Sequence, residues 1–223
     1  MRASARGGAP SAVASAVAAS VAAVLAASLA WTLWSPGAAA PPEFGDRPRA
    51  QAPAAGPPDG RGSSSVRREG PPGATAEPLR LRIPRVSLDA RIEAVGVTDD
   101  GMVEVPADAG EAGWYRHGPP PGAPAGSAVL VGHVDSRTGD LGAFAKLYRV
   151  RAGDAVTVAR EGAPPARYEV TAREVVDKEE LPPEVFRRAG RPVLTLVTCA
   201  PPYDRARGGY QRNLVVYAVP VRG

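Results

Sequence analysis

The sequence predicts an all-β fold for residues 79–223, and three observations support it. Short runs rich in Val, Ile, Leu and Tyr recur there between Gly, Pro and Asp turns, a pattern typical of strands. Glycine and proline contribute 25 residues each to a chain of 223, and only 5% of residues are aromatic, which argues against a helical bundle. No run suggests alternating β-α units. An antiparallel barrel or sandwich is consistent with all three observations.

Eight strands are expected in this C-terminal domain. Each is a short apolar run with turn-forming residues on both sides. In chain order they cover 79–83, 86–97, 102–105, 128–134, 155–159, 167–175, 193–199 and 214–219. Two further stretches, 142–148 and 183–189, favour a short helix or one turn of 3-10 helix.

An apolar segment over residues 11–34 is long enough to cross a membrane. It contains only Ala, Val, Leu, Ser, Thr and Trp, and a helix of about 20 apolar residues spans the hydrocarbon layer. Arg2 and Arg6 precede it, while Trp31 and Trp34 stand at its far end, where indole rings favour the interface. We expect a cytoplasmic N-terminus over 1–10, a single-pass signal-anchor helix over 11–34 and an exported C-terminal domain.

A cleaved signal peptide is the alternative for the same segment, because Ala38, Ala39 and Ala40 are small residues of the kind found at cleavage sites. Two features favour the uncleaved anchor. The apolar stretch is longer than the usual h-region of about 7 to 15 residues, and Pro41 and Pro42 follow the alanines. Either segment would export the rest of the chain.

Residues 35–78 are expected to form a disordered linker. They are mostly Pro, Gly, Ala, Ser and Arg, with Phe44 and Val66 as nearly the only large apolar side chains. So little apolar surface cannot offset the entropy lost on ordering. A partly polyproline linker of this kind would hold the domain well away from the membrane.

Composition and charge exclude several function classes. The net charge is +4, but the basic residues are spread along the chain with no run longer than two, so no nucleic-acid partner is expected. Two histidines and one cysteine cannot build a zinc finger, an iron–sulfur centre or an intramolecular disulfide. We expect neither a metal nor a cofactor.

Cys199 is the first candidate for a catalytic residue. It ends an apolar run and precedes a proline-rich turn. Most lone cysteines are small buried hydrophobes, yet in an exported protein a lone thiol has no partner and risks oxidation. On this evidence a nucleophile and a core residue are about equally consistent with the sequence.

The chain offers two histidines and several arginines to accompany Cys199. His133 closes an apolar run and His117 lies in a proline-rich loop, so a strand end at a barrel rim favours His133. Arg212 lies just before the last strand, where two neighbouring antiparallel strands would bring it near Cys199. Arg205 and Arg207, in the intervening loop, are the competing candidates.

Together these residues resemble a known family. The run Thr195-Leu196-Val197-Thr198-Cys199, with Arg212 near the last strand, Gly132-His133 upstream and an N-terminal anchor, resembles the sortases, cysteine transpeptidases of Gram-positive surfaces. The resemblance spans residues 79–223 and is closest to the class F sortases of actinobacteria. Segments that carry it include 113–116, 126–139, 153–154 and 196–218.

The resemblance implies an eight-stranded sortase-type barrel and a reaction. Cys199 would cleave an LPXTG-like sorting signal between Thr and Gly through a thioester, and a peptidoglycan precursor amine would resolve it. His133 would act as general acid and then as base, and Arg212 would stabilise the oxyanion or orient the substrate. Thr198 would line the substrate groove, and residues 176–192 would shape recognition. The clients would be surface proteins that carry the signal.

Two other functions stay open at this stage. The same fold could act mainly as a peptidase, releasing proteins because water outcompetes the amine. It could also be a weakly catalytic, membrane-tethered binding module.

Overall fold

Residues 76–221 contain a closed barrel of eight strands in the computed structural model, which describes residues 40–48 and 76–221. The strands are β1 (Pro78–Ile83), β2 (Leu88–Val95), β3 (Ala112–Tyr115), β4 (Ser127–Gly132), β5 (Ala155–Arg160), β6 (Ala163–Asp177), β7 (Val193–Asp204) and β8 (Gly209–Pro220). Their order around the barrel is β1-β2-β3-β4-β7-β8-β6-β5. The predicted eight-stranded barrel is confirmed.

Two of the strand pairings are parallel, which corrects the antiparallel arrangement expected from the sequence. β2 runs parallel to β3, and β4 runs parallel to β7. Parallel neighbours need long connections, and here the chain forms β5 and β6 between β4 and β7. Because β4 and β7 run in the same direction, both end at the same end of the barrel.

One predicted strand is absent and one strand was not predicted. Residues 102–105 make only an isolated bridge, between Val97 and Val103. The sequence pattern did not predict β3 because this strand is short and contains Gly113. A Cβ atom at Gly113 would lie 2.9 Å from atoms of Val95 and Pro106, so this strand needs glycine where neighbouring chain approaches closely.

β7 is apolar on both faces because it separates two packed clusters. Leu194 and Leu196 face the barrel interior, while Val193 and Val197 pack on the outer side against the segment that contains Val185. Burial on both faces explains why this strand is a nearly continuous apolar run.

Both predicted helical stretches form 3-10 helix. Ala143–Arg149 inserts Phe144 and Leu147 into the barrel core, where both side chains are fully buried. The second predicted stretch forms a single turn at Pro183–Phe186. Further 3-10 turns lie at Pro84–Val86, Lys178–Glu180 and Arg205–Arg207.

Residues 40–48, which we call the strap, lie along β6 and correct part of the linker prediction. The backbones of Phe44 and Arg173 exchange two hydrogen bonds, of 3.0 and 2.8 Å. Arg47 forms a two-point ion pair with Glu174, at 2.9 Å for each nitrogen. Phe44 also packs against the core and under the Arg173 guanidinium. These contacts give the strap the buried surface that its composition did not predict.

The predicted membrane span, residues 11–34, and the linker residues 35–39 and 49–75 lie outside the described residues. Within residues 40–48 and 76–221, no helix is long and apolar enough to span a membrane.

Candidate active site

The barrel brings His133, Cys199 and Arg212 to one end of three neighbouring strands. In the β4–β7 ladder Val131 is opposite Val197, so His133, which follows the last residue of β4, is level with Cys199. In the β7–β8 ladder Ala200 is opposite Arg212. The strand pairing brings the three positions to one end of the barrel, and their catalytic roles stay a prediction.

Cys199 is a free, half-buried cysteine at the end of the apolar part of β7. The phenol of Tyr148 donates a hydrogen bond of 2.9 Å to its carbonyl oxygen. Burial raises the pKa of the Cys199 thiol, the cation of Lys178 lowers it, and the carboxylate of Asp135 raises it further. These surroundings favour the protonated thiol more than they would in a free cysteine, so a nearby base would help it to act as a nucleophile.

His133 is held through both its ring and its backbone. Its Nε2 lies 2.8 Å from the carbonyl oxygen of Pro106. A carbonyl can only accept, so Nε2 carries the hydrogen and Nδ1 is the nitrogen available for proton exchange. The His133 carbonyl accepts from the amide of Phe144, and a Cβ atom at Gly142 would lie 2.2 Å from that carbonyl oxygen. Only glycine fits at this close approach.

Arg212 is the arginine that the strand ladder places beside the cysteine strand. Its Nε donates a hydrogen bond of 2.8 Å to the carbonyl of Pro201. Asn213, not Arg212, is directly opposite Cys199 in the ladder. Arg205 and Arg207 are exposed at the tip of the β7–β8 hairpin, farther along from Cys199. Arg212 can therefore take its predicted role only if its side chain extends around the end of the strand toward Cys199.

Two other sequence candidates do not face the site. Thr198 is only 3% exposed, and its hydroxyl donates a 2.8 Å hydrogen bond to the Gly132 carbonyl. It ties β7 to β4 in the interior, which corrects the expectation that it lines a substrate groove. His117 lies in an exposed turn after β3, with its ring against Tyr115.

Sequence reasoning missed several polar side chains around Cys199. Tyr210 donates a 2.6 Å hydrogen bond to Asp135, which lies two residues after His133. Burial raises the pKa of Tyr210, and this hydrogen bond raises it further. Asp135 was visible within the motif that resembles sortases, but nothing in the sequence assigned it a role. The tyrosines had no sequence signal, because their partners depend on how distant strands pair.

Comparison with known proteins identifies the family. The family model for the sortase domain matches residues 81–221, which is more than half of the chain. This chain belongs to the sortase family. It is therefore a cysteine transpeptidase, and the expectation of an enzyme is confirmed.

Solved sortase structures share the fold. Sortase C1 from Streptococcus agalactiae aligns at 21% identity and a TM-score of 0.50, over 65% of this chain and 67% of that one. Sortase C2 of Group B Streptococcus pilus island 1 aligns at 24% and 0.50, over 64% and 73%. Sortase C-1 from Actinomyces oris aligns at 27% and 0.49, over 65% and 73%. No curated protein matches the chain.

A cavity of about 520 Å³ opens beside Arg212 in this sortase. Its walls come from the end of β6, the following segment that includes Pro182, Pro183 and Glu184, and the strap residue Arg47. The strap therefore contributes a side chain to a cavity that also contains the predicted catalytic arginine.

Proposed function

We propose that this chain is a membrane-anchored sortase of the class F type. It would cleave an LPXTG-like sorting signal between Thr and Gly and transfer the new acyl group to a cell-wall amine. The observation that carries the proposal is the convergence of His133, Cys199 and Arg212 at one barrel end, in a family of cysteine transpeptidases. The class and the signal rest on sequence motifs, since the structural neighbours named above are C-type sortases.

The first half of the reaction would form a thioester. Nδ1 of His133 takes the proton of the Cys199 thiol, the sulfur attacks the threonine carbonyl carbon, and the tetrahedral intermediate collapses as the C–N bond to glycine breaks. Protonated His133 gives its Nδ1 proton to the leaving amine. The guanidinium of Arg212 would balance the negative charge on the carbonyl oxygen.

The second half would transfer the acyl group to an amine. The neutral amine attacks the thioester carbon, the C–S bond breaks, and His133 accepts the proton that the nitrogen loses. A peptidoglycan precursor amine would leave the client surface protein fixed to the wall. The apolar span over 11–34 would place the N-terminus in the cytoplasm and the catalytic domain facing the wall.

Mass spectrometry of the full chain in detergent, mixed with an LPXTG-type peptide and triglycine, tests the proposal. We expect an acyl adduct on Cys199 and a product in which the threonine is joined to triglycine, neither of which forms with Cys199→Ala. Cleavage to the free threonine acid alone would favour the hydrolytic peptidase. No adduct and no cleavage with a panel of signals would overturn the proposal.

A further inference from the structure

The Asp135 carboxylate is fixed beside the active site with one oxygen free. Its Oδ2 accepts the 2.6 Å hydrogen bond from Tyr210, and its other oxygen has no hydrogen-bond partner among residues 40–48 and 76–221. The backbone around it is also ordered, because Asp135 pairs with Leu141 and the Ser136 amide donates to the Asp140 carbonyl at 2.8 Å. Asp135 is therefore a half-buried anion with a defined position and an unused acceptor.

Charged side chains of both signs lie around Cys199. The cations lie on the β8 and β6 side, where Arg212 is on β8 and Lys178 follows the end of β6. Asp135 follows β4, on the other side of β7, next to His133. Both Lys178 and Asp135 are close enough to act electrostatically on the thiol. A substrate at Cys199 would therefore meet both cationic and anionic side chains.

The acceptor must arrive on the side that holds the base. An aliphatic amine is mostly ammonium at neutral pH, since its pKa is about 8 to 10. It must bind near the thioester, lose one proton and attack before water does. A carboxylate next to the histidine would meet the first two requirements, because it attracts the cation and orients it toward the base.

We propose that Asp135 binds the ammonium group of the acceptor and presents it to His133. The inference rests on the proposed transpeptidation and adds the residue that selects the amine. The ammonium donates one hydrogen to the free Asp135 oxygen and passes another proton to Nδ1 of His133. The neutral nitrogen then attacks the thioester carbon, the new N–C bond replaces the C–S bond, and the proton that the nitrogen loses as the amide forms passes to the departing Cys199 sulfur.

Tyr210 is the positioning residue in this arrangement. Its phenol occupies one carboxylate oxygen and so directs the other toward the acceptor. It also joins the loop after His133 to the β7–β8 hairpin, which contains Cys199. Loss of the phenol would leave the charge in place but free the carboxylate to rotate.

The test measures how the acyl-enzyme divides between amine and water, in the full chain. Wild type, Asp135→Asn, Tyr210→Phe and Asp140→Asn react with the same sorting peptide at several triglycine concentrations, and the ratio of transfer to hydrolysis is read by mass spectrometry. Asp140 is the matched control, because it lies in the same loop but is exposed and accepts from Thr138. The ratio is independent of the thiol pKa, because the sulfur is already acylated.

We expect Asp135→Asn to lower the transfer ratio about tenfold, the size typical of losing one charged hydrogen bond. Tyr210→Phe should lower it less, and Asp140→Asn should leave it unchanged. Hydroxylamine, which is largely uncharged at neutral pH, should resolve the thioester equally well in wild type and Asp135→Asn. This comparison separates recognition of charge from a merely structural effect.

An unchanged ratio in Asp135→Asn, or an equal loss with triglycine and hydroxylamine, would overturn this inference while leaving the proposed function intact. If the unmodified chain formed no acyl-enzyme at all, the proposed function itself would fail, and the inference with it.

Discussion

Tyr148 donates a hydrogen bond from its phenol to the carbonyl oxygen of Cys199, at 2.9 Å. The 3-10 segment Ala143–Arg149 thus supports the end of β7, and the same segment provides the amide that binds the His133 carbonyl. One short insertion between β4 and β5 therefore positions the backbones of both the predicted nucleophile and the predicted base.

Tyr148→Phe should slow the reaction more than it weakens substrate binding. The phenol contacts the main chain of Cys199, so we expect kcat to fall roughly 3- to 10-fold with KM nearly unchanged, and the free energy of unfolding to fall by about 1 kcal/mol. Steady-state kinetics and chemical denaturation measure both. Tyr203→Phe is the control, because Tyr203 is 55% exposed. A rise in KM alone would contradict this role.

The reactivity of Cys199 should depend on pH in a direction that its surroundings define. Burial raises the pKa of the thiol above its ordinary value, so the thiolate fraction is lower at any given pH and alkylation should reach half its maximal rate at a higher pH than a cysteine peptide. Asp135→Asn removes one cause of the raised pKa and should move the profile to lower pH. Iodoacetamide labelling followed by mass spectrometry measures both profiles, and a shift to higher pH in the variant would refute this account.

Gly142→Ala should impair catalysis by displacing His133. The added methyl carbon would lie 2.2 Å from the His133 carbonyl oxygen, so the backbone must move. We expect the acylation rate to fall at least about tenfold, the scale of a misplaced catalytic group. Gly110→Ala is the control, since its nearest neighbour is the flexible side chain of Asp108, at 3.2 Å. Equal rates in the two variants would show that His133 tolerates the shift.

Phe44→Ala should destabilise the catalytic domain although it lies outside the predicted domain boundary. Phe44 packs against the core, and the Arg173 guanidinium lies 4.9 Å from the centre of its ring. We expect the free energy of unfolding to fall by about 1–3 kcal/mol. Guanidinium denaturation of the full chain, followed by tryptophan fluorescence, measures it. Asp46→Ala, at an exposed strap position, should have little effect. Equal stability of Phe44→Ala and wild type would mean that the Phe44 ring contributes nothing to stability.

Local sequence patterns predicted most of the barrel strands but few of the contacts that hold the candidate site residues in place. Seven of the eight strands followed from apolar runs between turns, because burial and turn chemistry act over a few residues. β3 did not, because Gly113 interrupts its apolar pattern. That position needs glycine because Val95 and Pro106 pack closely against it. The parallel β4–β7 pairing also depends on long connections that no local pattern encodes.

In the candidate site, too, local pattern identified some residues, whereas contacts between distant residues could not be predicted. Cys199 and His133 stood out because each ends an apolar run, and Arg212 because it precedes the last strand. Thr198 was placed in the groove by resemblance alone, and its burial depends on a hydrogen bond to the Gly132 carbonyl that no local pattern shows. The Tyr210–Asp135 and Tyr148–Cys199 hydrogen bonds join residues more than fifty positions apart, so only the fold could reveal them.

The strap changes the expected effect of proteolytic cleavage between the strap and the barrel. The strap, which ends at Pro48, is bound to β6 through Arg47. The Glu77 carbonyl accepts a hydrogen bond from the Glu161 amide on the barrel. Residues 49–75 therefore connect two segments that are both bound to the same folded unit. A single proteolytic cut in that connection would not by itself free the catalytic domain from the N-terminal piece. The two fragments would stay together as a noncovalent complex, and release would become a dissociation rate set by Phe44, Arg47 and the backbone of Arg173.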